Sequence, residues 1–219
     1  MDSKELAAKI DHTLLYKDHT LEDLDRLVEE ANEYGMNVCV PPSRVGYVTD
    51  ELEVEGEIAT VIGFALGYNT TDVKVTETER ALDDGATEID MACNVSELKS
   101  GNYDSFMDDV EGVVEASGGA PVKAIIETGI LTEDEKRRAS NLCVEAGADY
   151  IKTCTGFFEG KATLNDVRLI KDEVGDRAKI KASGGIGDYE SASEMIDAGA
   201  SRIGASSGYE IMNDFVNNY

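Results

Sequence analysis

The chain has 219 residues, 42% of them hydrophobic, which is long enough for one large domain with a real core. It carries 45 Asp and Glu against 20 Lys and Arg, a formal net charge of −25, and a surface of that sign repels nucleic acid and anionic membranes. The acids are spread along the whole chain rather than gathered in a tail, so the expectation is a globular protein of a salt-rich cytoplasm, with a merely acidic protein of ordinary salt tolerance as the alternative.

Apolar periodicity places a short amphipathic helix over 3–9 and a strand over Ile10-Asp11-His12-Thr13-Leu14-Leu15. A helix over 21–34 stops at Gly35 as its C-cap. Strand 37–40 is ended by Pro41-Pro42, a helical stretch follows, and residues 58–64 form a β-branched strand. Helix 72–84 closes at Gly85 before strand 88–92, and helix 103–116 runs to Gly118-Gly119. Strand 122–127 precedes Thr132, where Glu135 completes a capping box for a helix running toward Gly147. Two lysine-bearing strands, Asp149-Tyr150-Ile151-Lys152 and Lys179-Ile180-Lys181-Ala182-Ser183, flank helix 164–174. Helix 189–198, strand 201–208 and a short terminal helix complete the chain.

Eight strand candidates, each followed by a helix candidate, imply parallel βαβ units. In about 220 residues they fit a compact (β/α)8 TIM barrel, a single domain over 1–219. A doubly wound open sheet is the rival, but the chain has no G-x-G-x-x-G. The four cysteines, Cys39, Cys93, Cys143 and Cys154, form no CxxC pair, and with only two histidines there is no obvious zinc ligand set. No signal peptide and no apolar run near 18 residues is seen, so a reduced cytoplasm is the expected compartment.

A lysine in a buried strand sheds its hydration, which is costly unless it gains a partner or loses its proton. Lys152 and Lys181 on consecutive strands, each followed by a Gly/Ser/Thr turn, point to a working amine with a charged neighbour that lowers its pKa. On a barrel the strand C-termini share one rim. That rim would gather Asp11 and Thr13 from the first strand, Asp90 from the fourth, Lys152 from the sixth and Lys181 from the seventh. The turns Gly184-Gly185 and Gly204-Ala205-Ser206-Ser207-Gly208 stand where barrels hold phosphate. Taken singly, Lys152 reads as a surface lysine, Asp90 as an ion-pair partner or cap, and Cys39 as a core residue. Glu88 and Asp90 share a strand face, as a metal pair would, but two lysines oppose them and no histidine is near, so no metal is expected.

These motifs resemble those of the deoxyribose-phosphate aldolase family. The resemblance rests on Ile10-Asp11-His12-Thr13-Leu14-Leu15, Glu88-Ile89-Asp90-Met91, Lys152-Thr153-Cys154-Thr155-Gly156-Phe157, Lys181-Ala182-Ser183-Gly184-Gly185-Ile186 and Arg202-Ile203-Gly204-Ala205-Ser206-Ser207-Gly208, and it runs through nearly the whole chain in order. It implies a class I aldolase on a (β/α)8 barrel, without metal or other cofactor. Such an enzyme cleaves 2-deoxy-D-ribose 5-phosphate reversibly to D-glyceraldehyde 3-phosphate and acetaldehyde in deoxyribonucleotide catabolism. Lys152 matches the Schiff-base lysine, Lys181 the second lysine and Asp90 the aspartate of the proton relay. Thr13 and Thr155 match residues near the sugar, and Cys39 a cysteine close to the site. Gly156, Gly184, Gly185, Gly204, Ser206 and Ser207 match the phosphate pocket, and Asp11 is the candidate counter-ion of Lys181.

There are departures. Gly187-Asp188 stands where many relatives carry a basic residue, Ala65 where proline is common, and Cys154 where serine is frequent. Tyr219 ends the chain, and some relatives have a C-terminal tyrosine that assists proton transfer. The resemblance also implies a dimer or tetramer. Two rival readings keep the barrel: an aldolase for another sugar phosphate, and a non-catalytic barrel that binds a sugar phosphate.

Overall fold

The computed structural model describes residues 1–158 and 160–218. Eight parallel strands close into a barrel in sequence order: β1 (Ile10–Thr13), β2 (Asn37–Val40), β3 (Ile58–Ile62), β4 (Glu88–Ala92), β5 (Val122–Ile125), β6 (Tyr150–Lys152), β7 (Lys179–Ser183) and β8 (Arg202–Ala205), with β8 pairing back onto β1. The expected TIM barrel is the observed fold. Helices α1 (Ser3–Ala7), α2 (Leu21–Tyr34), α3 (Val45–Glu51), α4 (Thr71–Asp83), α5 (Val95–Lys99), α6 (Tyr103–Ala116), α7 (Glu133–Glu145), α8 (Leu164–Val174), α9 (Tyr189–Asp197) and α10 (Gly208–Asn218) complete the βα units.

Local chemistry sets the helix limits. Thr20 accepts the Asp23 N–H while Asp23 answers the Thr20 N–H, and Gly35 closes α2 in the left-handed region at φ 80°. Thr132 and Glu135 form the expected capping box on α7. The buried face of α2, Leu24, Leu27, Val28 and Ala31, has helical spacing; covering each leucine is worth about 1.5–3 kcal/mol. Three strands end sooner than their apolar runs. β1 stops at Thr13, β3 at Ile62 and β5 at Ile125. After β3 the chain turns at Gly63, φ 61°, and beyond β5 at Glu127, φ 53°. The segment expected as strand 201–208 divides, its last residue opening α10.

A fully buried lysine lies outside the barrel. Lys74 of α4 is fully buried, 2.6 Å from Asp109 of α6 and 2.9 Å from the carbonyl of Ala92. Gly63 leaves room for it, since a Cβ there would stand 2.7 Å from Lys74 Cε. No helix among the described residues is long and apolar enough to cross a membrane.

Candidate active site

A cavity of about 380 Å³ opens at the C-terminal rim. Lys152 reaches it from β6 and Thr13 from β1, with Thr155 and Gly156 after β6, Gly184 and Gly185 after β7, and Gly204, Ser206 and Ser207 around the end of β8. Phe157 walls one side, edge-to-face with Phe64 at 5.1 Å and 6.3 Å from Tyr16. Asp90, Lys181, Asp11 and Cys39 are fully buried behind this lining. Tyr219 lies outside the described residues.

Strand register explains the meeting of the lysines. Lys152 and Lys181 are direct partners across β6 and β7, and Asp90 is the partner of Lys123 across β4 and β5. The Lys152 and Lys181 amines stand on the same oxygen, Asp90 Oδ2, each at 2.7 Å, while Lys123 donates to Asp90 Oδ1 at 2.8 Å. Lys181 also donates to Asp11. Arg202 bridges Asp11 at 2.6 Å and Glu88 at 3.0 Å, and Lys123 lies 2.7 Å from Glu88. Glu88 and Asp90, weighed as a metal pair, are thus taken up by lysine and arginine.

The balance of this cluster bears on Lys152. Asp11, Glu88 and Asp90 supply three negative charges, and Lys123, Lys181 and Arg202 three positive ones. The interior is balanced when Lys152 is neutral, and a proton on Lys152 leaves an unmatched charge in a low-dielectric core. Burial lowers the Lys152 pKa most; Asp90 opposes that, and the Lys181 charge lowers it further. The like charge expected from the sequence acts in the expected direction, but burial is the larger cause. For Lys181, burial works against the ammonium, yet Asp11 and Asp90 outweigh it and hold its pKa well above the ordinary lysine value. Burial would also raise Asp90, but Lys123, Lys152 and Lys181 keep it ionised, well below the usual carboxylate range.

This ordering gives a pH prediction. The reactive amine is neutral above its pKa, so kcat/KM rises with pH through that value and then levels. In Lys181→Leu a like charge is lost and Asp90 is shared by fewer cations, and both changes favour protonated Lys152. The acid limb of the kcat/KM profile is expected to move to higher pH by about one unit. An unmoved limb would show that Lys181 does not tune the amine.

Several supporting features have plain steric causes. Gly204 lets Lys181 pass, since a Cβ there would lie 2.9 Å from Lys181 Cε. Gly184 and Gly185 turn at φ 100° and 77°, a region that favours glycine. The Thr153 hydroxyl donates to the Ser183 carbonyl and accepts the Ser183 N–H, stitching β6 to β7 above the lysines. Cys39 packs with Ala59 and Val61, and burial together with Asp90 pushes its thiol up to about 11, so it is a neutral thiol at pH 7.

Sequence reasoning passed over Lys123, Arg202 and Glu127. Lys123 carried the same signal as Lys152, a charge inside an apolar run, Val122-Lys123-Ala124-Ile125. Arg202 lies within the motif Arg202-Ile203-Gly204-Ala205-Ser206-Ser207-Gly208, which by itself assigns it no role. Glu127 is buried with positive φ, and its carboxylate accepts the N–H of Thr155 at 3.0 Å, fixing the loop after β6.

Fold and cavity together define a (β/α)8-barrel protein with a buried amine presented at the C-terminal rim. The profile of the DeoC/LacD aldolase family matches residues 6–213. The chain is 50% identical over 205 residues to a deoxyribose-phosphate aldolase of Staphylococcus haemolyticus, covering 93% of each. Its structure is similar to that of an aldolase called QR15, with TM-score 0.94, 41% identity, and 97% and 96% of the two chains covered. It is also similar to the deoxyribose phosphate aldolase from Aeropyrum pernix, a tetramer, with TM-score 0.90, 30% identity, and 100% and 94% covered. This chain belongs to the DeoC/LacD family of aldolases.

Proposed function

We propose that the protein is a class I aldolase that reversibly cleaves 2-deoxy-D-ribose 5-phosphate to D-glyceraldehyde 3-phosphate and acetaldehyde. The observation that carries this reading is the Lys152 amine, opening on the cavity and sharing one Asp90 oxygen with a permanently charged Lys181. The names of the relatives agree with it.

The geometry supports the following course. Neutral Lys152 adds through Nζ to the C1 aldehyde of the open-chain sugar, and loss of water gives an iminium. The C2–C3 bond then breaks as the C3 hydroxyl loses its proton, and the bonding pair moves toward the iminium nitrogen to form an enamine. Glyceraldehyde 3-phosphate leaves. Protonation of the enamine carbon and addition of water release acetaldehyde and restore the amine. Asp90 is buried and ionised, so it sets the charge at Nζ and takes part in proton transfer through a water rather than by touching the sugar. Asp11 keeps Lys181 in place and charged. The test is coupled turnover of 2-deoxyribose 5-phosphate with and without chelator. Sustained activity in chelator supports the reading; preference for a different sugar phosphate would redirect it within the same class.

The reading includes a cytoplasmic setting, a homo-oligomer and adaptation to salt. The net charge of −25 opposes both the compact fold and the approach of an anionic substrate. Between about 0.1 M and 1 M salt the Debye length falls from roughly 10 Å to roughly 3 Å. Melting temperature and activity are therefore expected to rise together into molar KCl, with KM falling until the anion competes for the phosphate pocket. Chloride and a weakly competing anion, compared, separate the two effects. Full stability and activity at about 50 mM salt would sink the salt adaptation and leave the aldolase untouched.

A further inference from the structure

We propose that Lys161 supplies the cation that grips the substrate phosphate, in place of the basic side chain missing at Gly187; the proposal rests on the aldolase reading above. The end of the cavity formed by Gly184, Gly185, Gly187, Gly204, Ser206 and Ser207 offers backbone N–H groups and two hydroxyls. Among the described residues, Lys152 is the lysine that lines the cavity, and it reacts as the neutral amine. Asp188 adds a carboxylate nearby, although it is engaged in capping α9 through the Ser191 N–H. A phosphate dianion entering a protein of charge −25 needs a positive charge at short range, where screening does not reach.

Lys161 stands just behind the cavity wall, against Gly185, which lines it. The Lys161 stem lies across Gly185: a Cβ on that glycine would stand 2.7 Å from Lys161 Cδ, 3.1 Å from Cγ and 3.3 Å from Cβ. The missing side chain at Gly185 is the groove in which the lysine lies. The backbone on both sides of Lys161 is held. The Ala162 N–H donates to the Gly184 carbonyl at 3.0 Å, and Gly160 packs so closely on Gly129 that a Cβ at 160 would stand 2.7 Å from Gly129 Cα. The buried lysines 74, 123, 152 and 181 all pair with carboxylates. Lys161 is exposed and has no carboxylate partner among the described residues. A stem held against a glycine turn, with an ammonium that has no carboxylate partner among the described residues, offers a phosphate a compact point charge.

The experiment compares wild type, Lys161→Met, which keeps the stem, and Lys161→Arg on 2-deoxyribose 5-phosphate and on unphosphorylated 2-deoxyribose at one salt concentration. Lys161→Met is expected to raise KM for the phosphorylated sugar about tenfold with kcat within about twofold, and to leave the unphosphorylated sugar unchanged. Lys161→Arg should keep most of the affinity, and Lys161→Met with Gly187→Arg should regain it. Equal changes on both sugars, or no change on the phosphorylated one, would overturn the proposal. Binding of inorganic phosphate, followed by titration, is read in the same proteins. It should weaken about tenfold in Lys161→Met, and equal binding overturns the assignment of Lys161. Failure of the aldolase reading shows separately, as a wild type that binds phosphate and turns over neither sugar.

Discussion

Lys152→Ala is expected to lower cleavage of 2-deoxyribose 5-phosphate by on the order of 10⁴-fold or more, and to abolish the covalent adduct that borohydride traps from acetaldehyde. Other lysines of the interior cannot take its place. Lys123 and Lys181 are fully buried, and each is tied to two or more carboxylates. Asp11 and Asp90 hold Lys181 strongly protonated against its burial, so it has no lone pair to offer. Lys152 is the one of the three that lines the cavity, and its pKa is lowered. The substitution also leaves the three remaining cations matched by three carboxylates, so the fold should survive and the loss should be chemical. Peptide mass analysis of the wild-type adduct is expected to place the label on Lys152. A label on Lys181 would reverse the roles, and an unlabelled protein would remove the Schiff-base mechanism.

Asp90→Asn is expected to act on both catalysis and stability. Asp90 accepts from Lys123, Lys152 and Lys181. An amide of the same shape removes the negative charge at the centre of three amines, and breaking a buried pair in this way costs about 3–5 kcal/mol. The cations Lys123, Lys181 and Arg202 are then left with two carboxylates, Asp11 and Glu88. Asp90 is the group that opposes the lowering of the Lys152 pKa, so without its charge the acid limb of Lys152 should move to lower pH. Turnover nevertheless falls by about 10²–10⁴-fold, because the iminium loses its counter-charge and proton transfer loses its carrier, while KM changes little. Exchange of acetaldehyde methyl protons into deuterated solvent isolates the proton step from C–C cleavage and should fall in parallel. Unchanged exchange with slowed cleavage would leave Asp90 an electrostatic role alone.

Residues that sit at element ends were legible because their physics is local. The Thr132 capping box, Gly35 at the end of α2 and the repeated order of strand and helix were all readable within a few residues, and the limits of α2, α6 and α8 agree with expectation. Strand ends were less legible. The apolar runs continue past Thr13, Ile62 and Ile125 into loops that are themselves packed, so hydrophobicity does not mark where pairing stops.

By itself the sequence determined that there would be eight parallel βα units, that charges would sit inside apolar strands, and that glycine turns would follow the last two strands. Only closure of the barrel decided which charges meet. Side chains of a strand alternate between the barrel interior and the helix layer, and both sides are apolar, so periodicity cannot tell them apart. Lys179 is exposed while Lys181, two residues on, is fully buried, a difference in depth along one strand. Asp11 and Arg202, 191 residues apart, and Asp90 and Lys152, 62 apart, meet because β8 pairs with β1 and the interior is too narrow to hold unmatched charge. The pairing of each carboxylate with its cation, and hence the lowered pKa of Lys152, is a property of that closed interior, since the Coulomb energy that selects it depends on distances no stretch of chain contains.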